Sequence, residues 1–229
     1  MVPVGAIVRQ AMLRRHDPKD AVLLLIDHQS GLFQCIRDMD FKRVRDHAIA
    51  LAEAATLLNI PVITTASVPQ GPNGPLIPEI HKAAPHAVYV PRRGEINSWD
   101  CKEFVDAVKA TGKKTLIIAG TVTSVCLAFP AISAVQDGYK VFALPDASGT
   151  YSKMAEEISL ARMVQAGVIP MDTSSAIAEL QQTWHRDDWA KWANIWSRVF
   201  TNYGLLLESY EKAAEVTRTG EPFDNLRED

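Results

Sequence analysis

Short runs of consecutive apolar residues, separated by segments with helical character, limit the folds open to this chain. The runs are AVLLLI (21–26), PVITTA (61–66), AVYV (87–90), TLIIAG (115–120), KVFAL (140–144) and VIPM (168–171). Each run is continuous rather than alternating, which is typical of strands buried on both faces of a parallel sheet. The intervening segments, near 41–58, 100–111, 123–137, 153–166 and 174–182, favour helices. This order predicts a three-layer α/β sandwich.

Glycines mark several of the predicted boundaries. Gly112, Gly138 and Gly167 each precede a predicted strand, at the point where a helix often ends in a left-handed residue. We therefore expect an α/β domain over 17–183, an N-terminal extension over 1–16 and a C-terminal helical extension over 184–229.

The segment 69–85 has a different composition. It holds five prolines and two glycines, which predicts a long loop without a regular element. Loops of this length in a compact domain are often functional, and a disordered surface loop is the alternative.

The C-terminal extension is rich in tryptophan, since residues 184–196 hold four of the five Trp. Trp192, Ile195, Trp196 and Val199 recur with helical spacing and form an apolar stripe. This stripe packs either on the chain's own core or on a neighbouring subunit. Because the α/β domain looks complete by residue 182, we favour a neighbouring subunit and predict a homo-oligomer.

Composition and missing motifs exclude several classes of protein. The net charge of −3 and the absence of a Lys/Arg block argue against nucleic-acid binding. No apolar run has the length of a membrane span. Three cysteines without a CxxC pair argue against disulfides and structural zinc, and indicate a reducing, cytoplasmic compartment. The first sixteen residues carry three Arg and no acid, so an organelle presequence is a weaker alternative to a plain extension.

Cofactor and metal motifs are also missing. The first predicted strand is followed by no GxGxxG, so a dinucleotide cofactor is not expected. Ser124 does not stand in a GxSxG elbow. The histidines are scattered without ligand spacing, and we expect neither a metal nor any other cofactor.

Reactive residues follow three of the predicted strands. In open parallel sheets ligands bind beyond the carboxyl ends of the strands. Asp27 follows the first strand, the pair Arg92 and Arg93 follows the third, and Cys126 follows the fourth. Taken singly, Asp27 could be a turn or cap residue, the arginines solvated charges, and Cys126 a buried structural cysteine. Together they are a thiol, a proton acceptor and a charged orienting group.

Cys126 stands out among the three cysteines because of its place at a strand-to-helix junction. With Thr123 as the N-cap, Cys126 is the third helical residue. The unpaired amides and partial positive charge of a helix N-terminus favour a thiolate, so we expect a lowered thiol pKa. The same amides could bind an oxyanion. Cys35 and Cys101 lack this context and are interpreted as packing residues.

These motifs resemble the isochorismatase-like cysteine hydrolases. That family has an Asp ending strand one, a Lys after strand three and a Cys at the head of the helix after strand four. The matching segments are LLLIDHQSG, PRRGEINSWD and IIAGTVTSVCLAFPA. The phrases GPNGPLIPEI, EINSWD, KATGKKTLIIAG and PDASGTY are similar to its YcaC-type branch. The resemblance covers roughly residues 17–210.

The resemblance implies a Rossmann-like, six-stranded, mainly parallel sheet in the order 3-2-1-4-5-6. It implies a cis peptide bond between Thr121 and Val122, an oxyanion hole built from the amides of Val122 and Cys126, and a ring-based assembly, either a tetramer or an octamer. The Lys of the family is replaced by Arg92, with Arg93 as the less favoured occupant. An Arg cannot release its proton, so Asp27 is left as the proton acceptor.

The sequence therefore predicts hydrolysis of a small amide or related C–N bond through a thioester on Cys126. Phe33, Asn97 and Trp99 are candidate pocket residues, and core packing is the alternative for Trp99. A second hypothesis is a redox-sensing or binding oligomer with a reactive thiol. A third, vinyl-ether cleavage without a thiol, is disfavoured by the presence of Cys126.

Overall fold

The protein is described by a computed structural model that covers residues 15–200 and 202–220. Its centre is a six-stranded sheet whose strands all pair in parallel, in the order β3-β2-β1-β4-β5-β6. The strands are β1 Ala21–Ile26, β2 Val62–Ser67, β3 Val88–Arg92, β4 Thr115–Gly120, β5 Lys140–Ala143 and β6 Ile169–Pro170. The predicted fold class and strand order are confirmed.

Helices cover both faces of this sheet. They are α1 Phe41–Leu57, α2 Pro78–Ala83, α3 Lys102–Ala110, α4 Ala128–Gln136, α5 Lys153–Gln165, α6 Thr173–Gln181, α7 Trp189–Val199 and α8 Tyr203–Thr219. One apolar cluster joins the sheet to α1, α2, α6 and α7, and a second joins it to α3, α4 and α5.

Strand β1 shows why its sequence is continuously apolar. Leu23 and Leu25 belong to the first cluster, whereas Leu24 and Ile26 belong to the second. Because successive side chains of a strand point to opposite faces, both faces of a central strand must be apolar when helices cover both. The three predicted boundary glycines all have positive φ, between 67° and 91°.

The segment 69–85 differs from its prediction as a loop without regular structure. Its second half forms α2, which begins at Pro78. Proline is well suited to the first turn of a helix, where its missing N–H has no helical partner to lose. The proline-rich composition concealed this short helix.

The predicted apolar stripe packs on the chain's own core and not on a neighbour, contrary to the preference we gave. Helix α7 lies against α1, and the side chains of Trp192 and Ile195 are 0% and 2% exposed. Helix α8 is different, because none of its residues is buried. Residues 1–14 of the extension predicted over 1–16, and residues 201 and 221–229 of the extension predicted over 184–229, lie outside the described residues. Within the described part of the chain, no helix combines the length and hydropathy that crossing a membrane requires.

Candidate active site

The carboxyl ends of the central strands bring the three predicted residues to one edge of the sheet. Ile26, the last residue of β1, pairs with Thr65 of β2 and Gly120 of β4. Asp27, the next residue, therefore lies beside the end of β4, where the turn that carries Cys126 starts. Arg92 ends β3 beside the end of β2, and its side chain extends across β2 to Asp27.

Asp27 and Arg92 form a buried ion pair. Nη2 of Arg92 donates to Oδ1 of Asp27, and each residue is 2% exposed. The same carboxylate oxygen accepts the backbone N–H of Ser67 at 3.1 Å. Asp27 adopts a left-handed φ of 57°, which turns the chain at the end of β1. A buried carboxylate is stabilised only when such partners compensate for its lost hydration.

Arg92, and not Arg93, is the arginine that pairs with Asp27. Its Nε donates to Oγ1 of Thr65 at 3.0 Å, and its Nη1 donates to the carbonyl of Glu95. The guanidinium is thus held by three different partners. Arg93 is exposed, and its backbone N–H donates to the Glu95 carboxylate at 2.9 Å.

Cys126 lies in a turn that differs from the predicted helix start. Residues Thr123–Leu127 form one π-helical turn with Val122 as the N-cap, so the prediction of Thr123 as the N-cap is wrong. The Thr123 side chain donates instead to the carbonyl of Gly149, at 3.0 Å. The peptide bond between Thr121 and Val122 is cis.

The two predicted oxyanion donors are not equivalent. The backbone N–H of Cys126 donates to the carbonyl of Val122 at 2.8 Å, so this amide already has an acceptor. The N–H of Val122 has no acceptor among the described residues. An oxyanion role therefore falls first on Val122.

The loop after β5 holds this turn in place, a feature that the sequence reasoning missed. Oγ of Ser148 accepts the N–H of Gly120 at 3.0 Å, and its carbonyl accepts Oγ1 of Thr121 at 2.8 Å. A Cβ on Gly120 would lie 2.6 Å from the carbonyl oxygen of Cys126. Ser148 lies in PDASGTY, the segment that follows β5, so its place after a strand end was the signal that could have identified it.

The thiol of Cys126 has a raised pKa, in contrast to the lowered value expected from the sequence. Burial is the largest cause, because the residue is 8% exposed and the thiolate loses hydration. The negative charge of Asp27 and its hydrogen bond with the thiol raise the pKa further, whereas Arg92 lowers it. The resting residue is a neutral thiol with a carboxylate beside it.

His28, the neighbour of Asp27, does not compete with it as a base. Its ring is fully buried, and its Nε2 donates to the carbonyl of Ala147 at 2.8 Å. Burial lowers its pKa to about 4, and the hydrogen bond to the carbonyl of Ala147 offsets this only in part. The ring is therefore neutral near pH 7 and has a structural role.

The three predicted pocket residues have other contacts. Phe33 is 6% exposed and packs on His28, with 6.2 Å between ring centroids. Asn97 accepts the N–H of Trp99 at 3.1 Å and donates to Ser133 at 3.1 Å. The indole of Trp99 donates to Asp137 at 2.9 Å. None of these hydrogen bonds reaches the triad, and a pocket role for these residues stays a prediction.

The other cysteines differ from each other. Cys101 is buried, as a packing residue should be, whereas Cys35 is exposed and does not fit that interpretation. Over residues 15–200 and 202–220, His, Cys, Asp and Glu form no group of three that could hold a metal ion.

Known proteins share this architecture. Residues 21–175 match the isochorismatase domain. The probable hydrolase YcaC of Escherichia coli is 44% identical over 197 residues, which cover 86% of this chain and 94% of that protein. Its crystal structure, described as an octameric hydrolase of unknown specificity, superposes with a TM-score of 0.83 and covers 87% of this chain and 97% of its own.

A second solved relative is YcaC from Pseudomonas aeruginosa, in complex with hexane-2,5-diol and covalent acrylamide. It is 43% identical, has a TM-score of 0.83, and covers 87% of this chain and 98% of its own. With the domain match and the E. coli relative, this shows that the chain belongs to the isochorismatase family.

Proposed function

We propose that this protein is a hydrolase that cleaves the C–N bond of a small amide through a thioester on Cys126. The observation that carries the proposal is the buried thiol beside a carboxylate that is itself paired with a buried guanidinium. A neutral thiol needs a base at the moment of attack, and Asp27 is the carboxylate next to it. The relatives named as hydrolases support the same reaction class.

The proposed reaction has two halves. Asp27 takes the proton of Cys126 as sulfur attacks the carbonyl carbon, and the N–H of Val122 donates to the developing oxyanion. When the C–N bond breaks, Asp27 gives this proton to the leaving nitrogen. A water molecule then loses a proton to Asp27 and attacks the thioester. The acid product leaves, and the proton returns to sulfur.

Arg92 acts in this mechanism as an orienting charge. It keeps its proton throughout, and its three fixed hydrogen bonds hold the Asp27 carboxylate in one orientation. Because its Nε and one hydrogen of each terminal nitrogen are already used, little of the guanidinium is free to bind a charged substrate group. This favours a neutral amide as the substrate.

The second hypothesis, a redox-sensing thiol, is less well supported. Sensor cysteines combine a low pKa with exposure to solvent. Cys126 has a raised pKa and is 8% exposed. A covalent acrylamide in the P. aeruginosa relative still fits a nucleophilic thiol, because acrylamides alkylate thiols.

The proposal is tested by a search for the acyl-enzyme. The protein is incubated with a panel of small neutral amides, quenched in acid, digested and analysed by mass spectrometry, while amine release is measured in parallel. We expect an acyl group on Cys126 that hydroxylamine removes, and release of the amine. Amine release without any adduct, at the same rate in Cys126→Ala, would refute the thioester route. Cys101→Ala is the matched control.

We also propose that the chain forms a homo-oligomer, a tetramer or an octamer, with α8 at an interface. Leu205, Leu206 and Tyr210 of this helix are 58–70% exposed, and the E. coli relative is octameric. Light scattering coupled to size exclusion should give a mass several times that of one chain. Leu206→Asp should reduce it, and a monomeric profile for the unmodified protein would refute the proposal.

A further inference from the structure

Val68, the residue after β2, has an unfavourable backbone conformation. Its φ is 45°, in the left-handed region that β-branched residues rarely adopt. The other non-glycine residues with positive φ among those described are Asp27, Asn59 and Gln182, and none of them is β-branched. A glycine at position 68 would avoid this conformational cost. A valine here therefore points to a role for its side chain.

The backbone around Val68 is fixed from several sides. The N–H of Val68 donates to the carbonyl of Arg92 at 3.3 Å, and its carbonyl accepts the N–H of Gly71 at 2.9 Å. The preceding N–H, that of Ser67, donates to Asp27. These bonds fix the backbone of Val68 between Arg92 and the residue that binds Asp27.

The side chain of Val68 forms part of a cavity wall. The cavity has a volume of about 700 Å³, and its wall also contains Gln70, Tyr89, Arg92, Glu95, Cys101 and Glu103. Two glycines lie next to the Val68 side chain. A Cβ on Gly71 would lie 3.2 Å from it, and a Cβ on Gly94 would lie 3.7 Å from it. Val68 thus supplies the bulk that these two glycines leave out, and 38% of its surface is exposed.

This cavity adjoins the triad. Arg92 belongs to both, and its guanidinium binds Asp27. Tyr89 on the cavity wall is also within electrostatic reach of the site. Burial raises the pKa of its hydroxyl, and the negative charge of Asp27 raises it further.

We propose that Val68 is a specificity-determining residue, which narrows the approach from this cavity to Cys126 and restricts the substrate to amides with a small substituent on nitrogen. The inference rests on the proposed function, because it takes Cys126 as the reacting thiol. A smaller groove of about 340 Å³, lined by Val122, Phe129, Tyr151 and Ile158, is the rival approach. This groove contains none of the residues with a left-handed φ and neither member of the charged pair.

The test measures how fast Cys126 is alkylated by acrylamide and by N-benzylacrylamide. Sulfur adds to the β-carbon of the reagent, and the thiol proton ends on its α-carbon, so no further reactant is needed. Mass spectrometry of the peptide that contains Cys126 gives both rate constants. Their ratio, small reagent over large, reports on the width of the approach and not on the reactivity of the thiol.

We expect Val68→Gly to lower this ratio by about tenfold or more, because a few methyl groups in a pocket discriminate by that amount. Val68→Ala should give an intermediate ratio, and the isosteric Val68→Thr should restore a ratio close to that of valine. Ile158→Ala, in the rival groove, should move the ratio by less than about twofold.

Three outcomes would overturn the inference. They are an unchanged ratio in Val68→Gly, an equal loss of both rates in that variant, and a ratio that responds to Ile158→Ala instead. The inference and the proposed function fail differently. If neither reagent alkylates Cys126 in the unmodified protein, the nucleophile itself is in doubt. If both do, and the ratio ignores residue 68, only the role of Val68 is refuted.

Discussion

Cys126 and Cys101 lie in similar places and differ in one respect that matters. Both are buried, at 8% and 4% exposure, and both are in the first turn or the N-cap of a helix that follows a strand end. Burial is the largest cause of a raised pKa in both thiols. Each also has a carboxylate nearby, Asp27 for one and Glu103 for the other.

The two carboxylates make the difference. Asp27 is buried, paired with Arg92 and bound by the N–H of Ser67. Glu103 is exposed on α3, where its Oε2 lies 3.5 Å from the sulfur of Cys101. Water screens an exposed carboxylate and lets it rotate, whereas a buried and oriented one can accept a proton in a fixed geometry. On the proposed mechanism, a helix N-terminus and burial are therefore not sufficient for a nucleophile, and an oriented carboxylate is needed as well.

Removing each thiol in turn should give the largest difference between Cys126 and Cys101. We expect Cys126→Ala to reduce turnover of an amide substrate by about 10³-fold or more, because no other group can form the thioester. Cys101→Ala should change turnover by less than about threefold. The measurement is kcat with a substrate found in the amide panel. Equal losses in the two variants would show that the distinction between the cysteines is mistaken.

Replacing each carboxylate by its neutral amide tests whether Asp27 accounts for the difference between the two cysteines. Asp27→Asn should lower kcat by about 10²-fold to 10⁴-fold, the range for loss of a general base, while Glu103→Gln should have little effect. The thiol of Cys126 should become more acidic even though turnover falls. Its pKa should decrease in Asp27→Asn, because the carboxylate that raises it is gone.

Two readouts keep this prediction separate from a folding defect. Asp27→Asn leaves Arg92 as an unpaired buried charge, so it should lose about 3–5 kcal/mol of stability. Circular dichroism monitors the folded fraction, and the pH dependence of alkylation gives the thiol pKa. A folded variant with a lower thiol pKa and undiminished kcat would show that Asp27 is not the base.

The sequence was sufficient to predict the fold and to predict that Asp27, an arginine and Cys126 lie at one edge of the sheet. Six apolar runs indicated the strands, and the rule that ligands bind at the carboxyl ends of strands selected Asp27, the pair Arg92 and Arg93, and Cys126. Local pattern was less informative about environment. The prediction of a lowered thiol pKa used the helix N-terminus alone, whereas the pKa depends on burial and on Asp27, 99 positions away in the chain.

Other features depended on contacts that no local pattern encodes. Thr123 was expected to cap a helix, but its hydroxyl and its backbone N–H both donate to the carbonyl of Gly149, at 3.0 Å and 2.7 Å. The stripe on α7 was recognised, but whether it would meet the core or a neighbour depended on how much of α1 remained uncovered. The left-handed φ of Val68 could not be foreseen, since valine is among the residues least suited to it.

The pH dependence of stability tests whether His28, next to Asp27, is neutral in the folded protein. Its pKa of about 4 lies below the ordinary value of 6.5, so its contribution to stability is complete above pH 6.5 and is lost as the pH falls through 4. The size is up to about 3 kcal/mol. His28→Gln, which can keep the bond to Ala147, should flatten the pH dependence of urea unfolding over this interval.

The control for this measurement is His185→Gln, because His185 is exposed. It should leave the unfolding curve at each pH unchanged. His16 is also buried with a lowered pKa, so some loss of stability in acid should remain in His28→Gln. A pH dependence identical to that of the unmodified protein would show that the pKa of His28 is the same in the folded and unfolded states, so that its imidazole would be a candidate base near pH 7 after all.

Backbone strain gives the smallest expected effect. The chain has left-handed φ values at Asp27, beside Cys126, and at Val68, which lines the same cavity as Cys101, whereas Cys101 itself has an ordinary φ of −87°. A change to glycine should therefore have opposite effects on the free energy of unfolding at positions 68 and 101. Val68→Gly should raise the free energy of unfolding by about 1 kcal/mol through release of strain. Cys101→Gly should lower it by about 1 kcal/mol or more through lost packing and added chain entropy. A lower melting temperature for both would mean that the side chain of Val68 contributes more to stability than its backbone conformation costs. The valine would then be explained by packing, and its conformation alone would no longer point to a role in selecting the substrate.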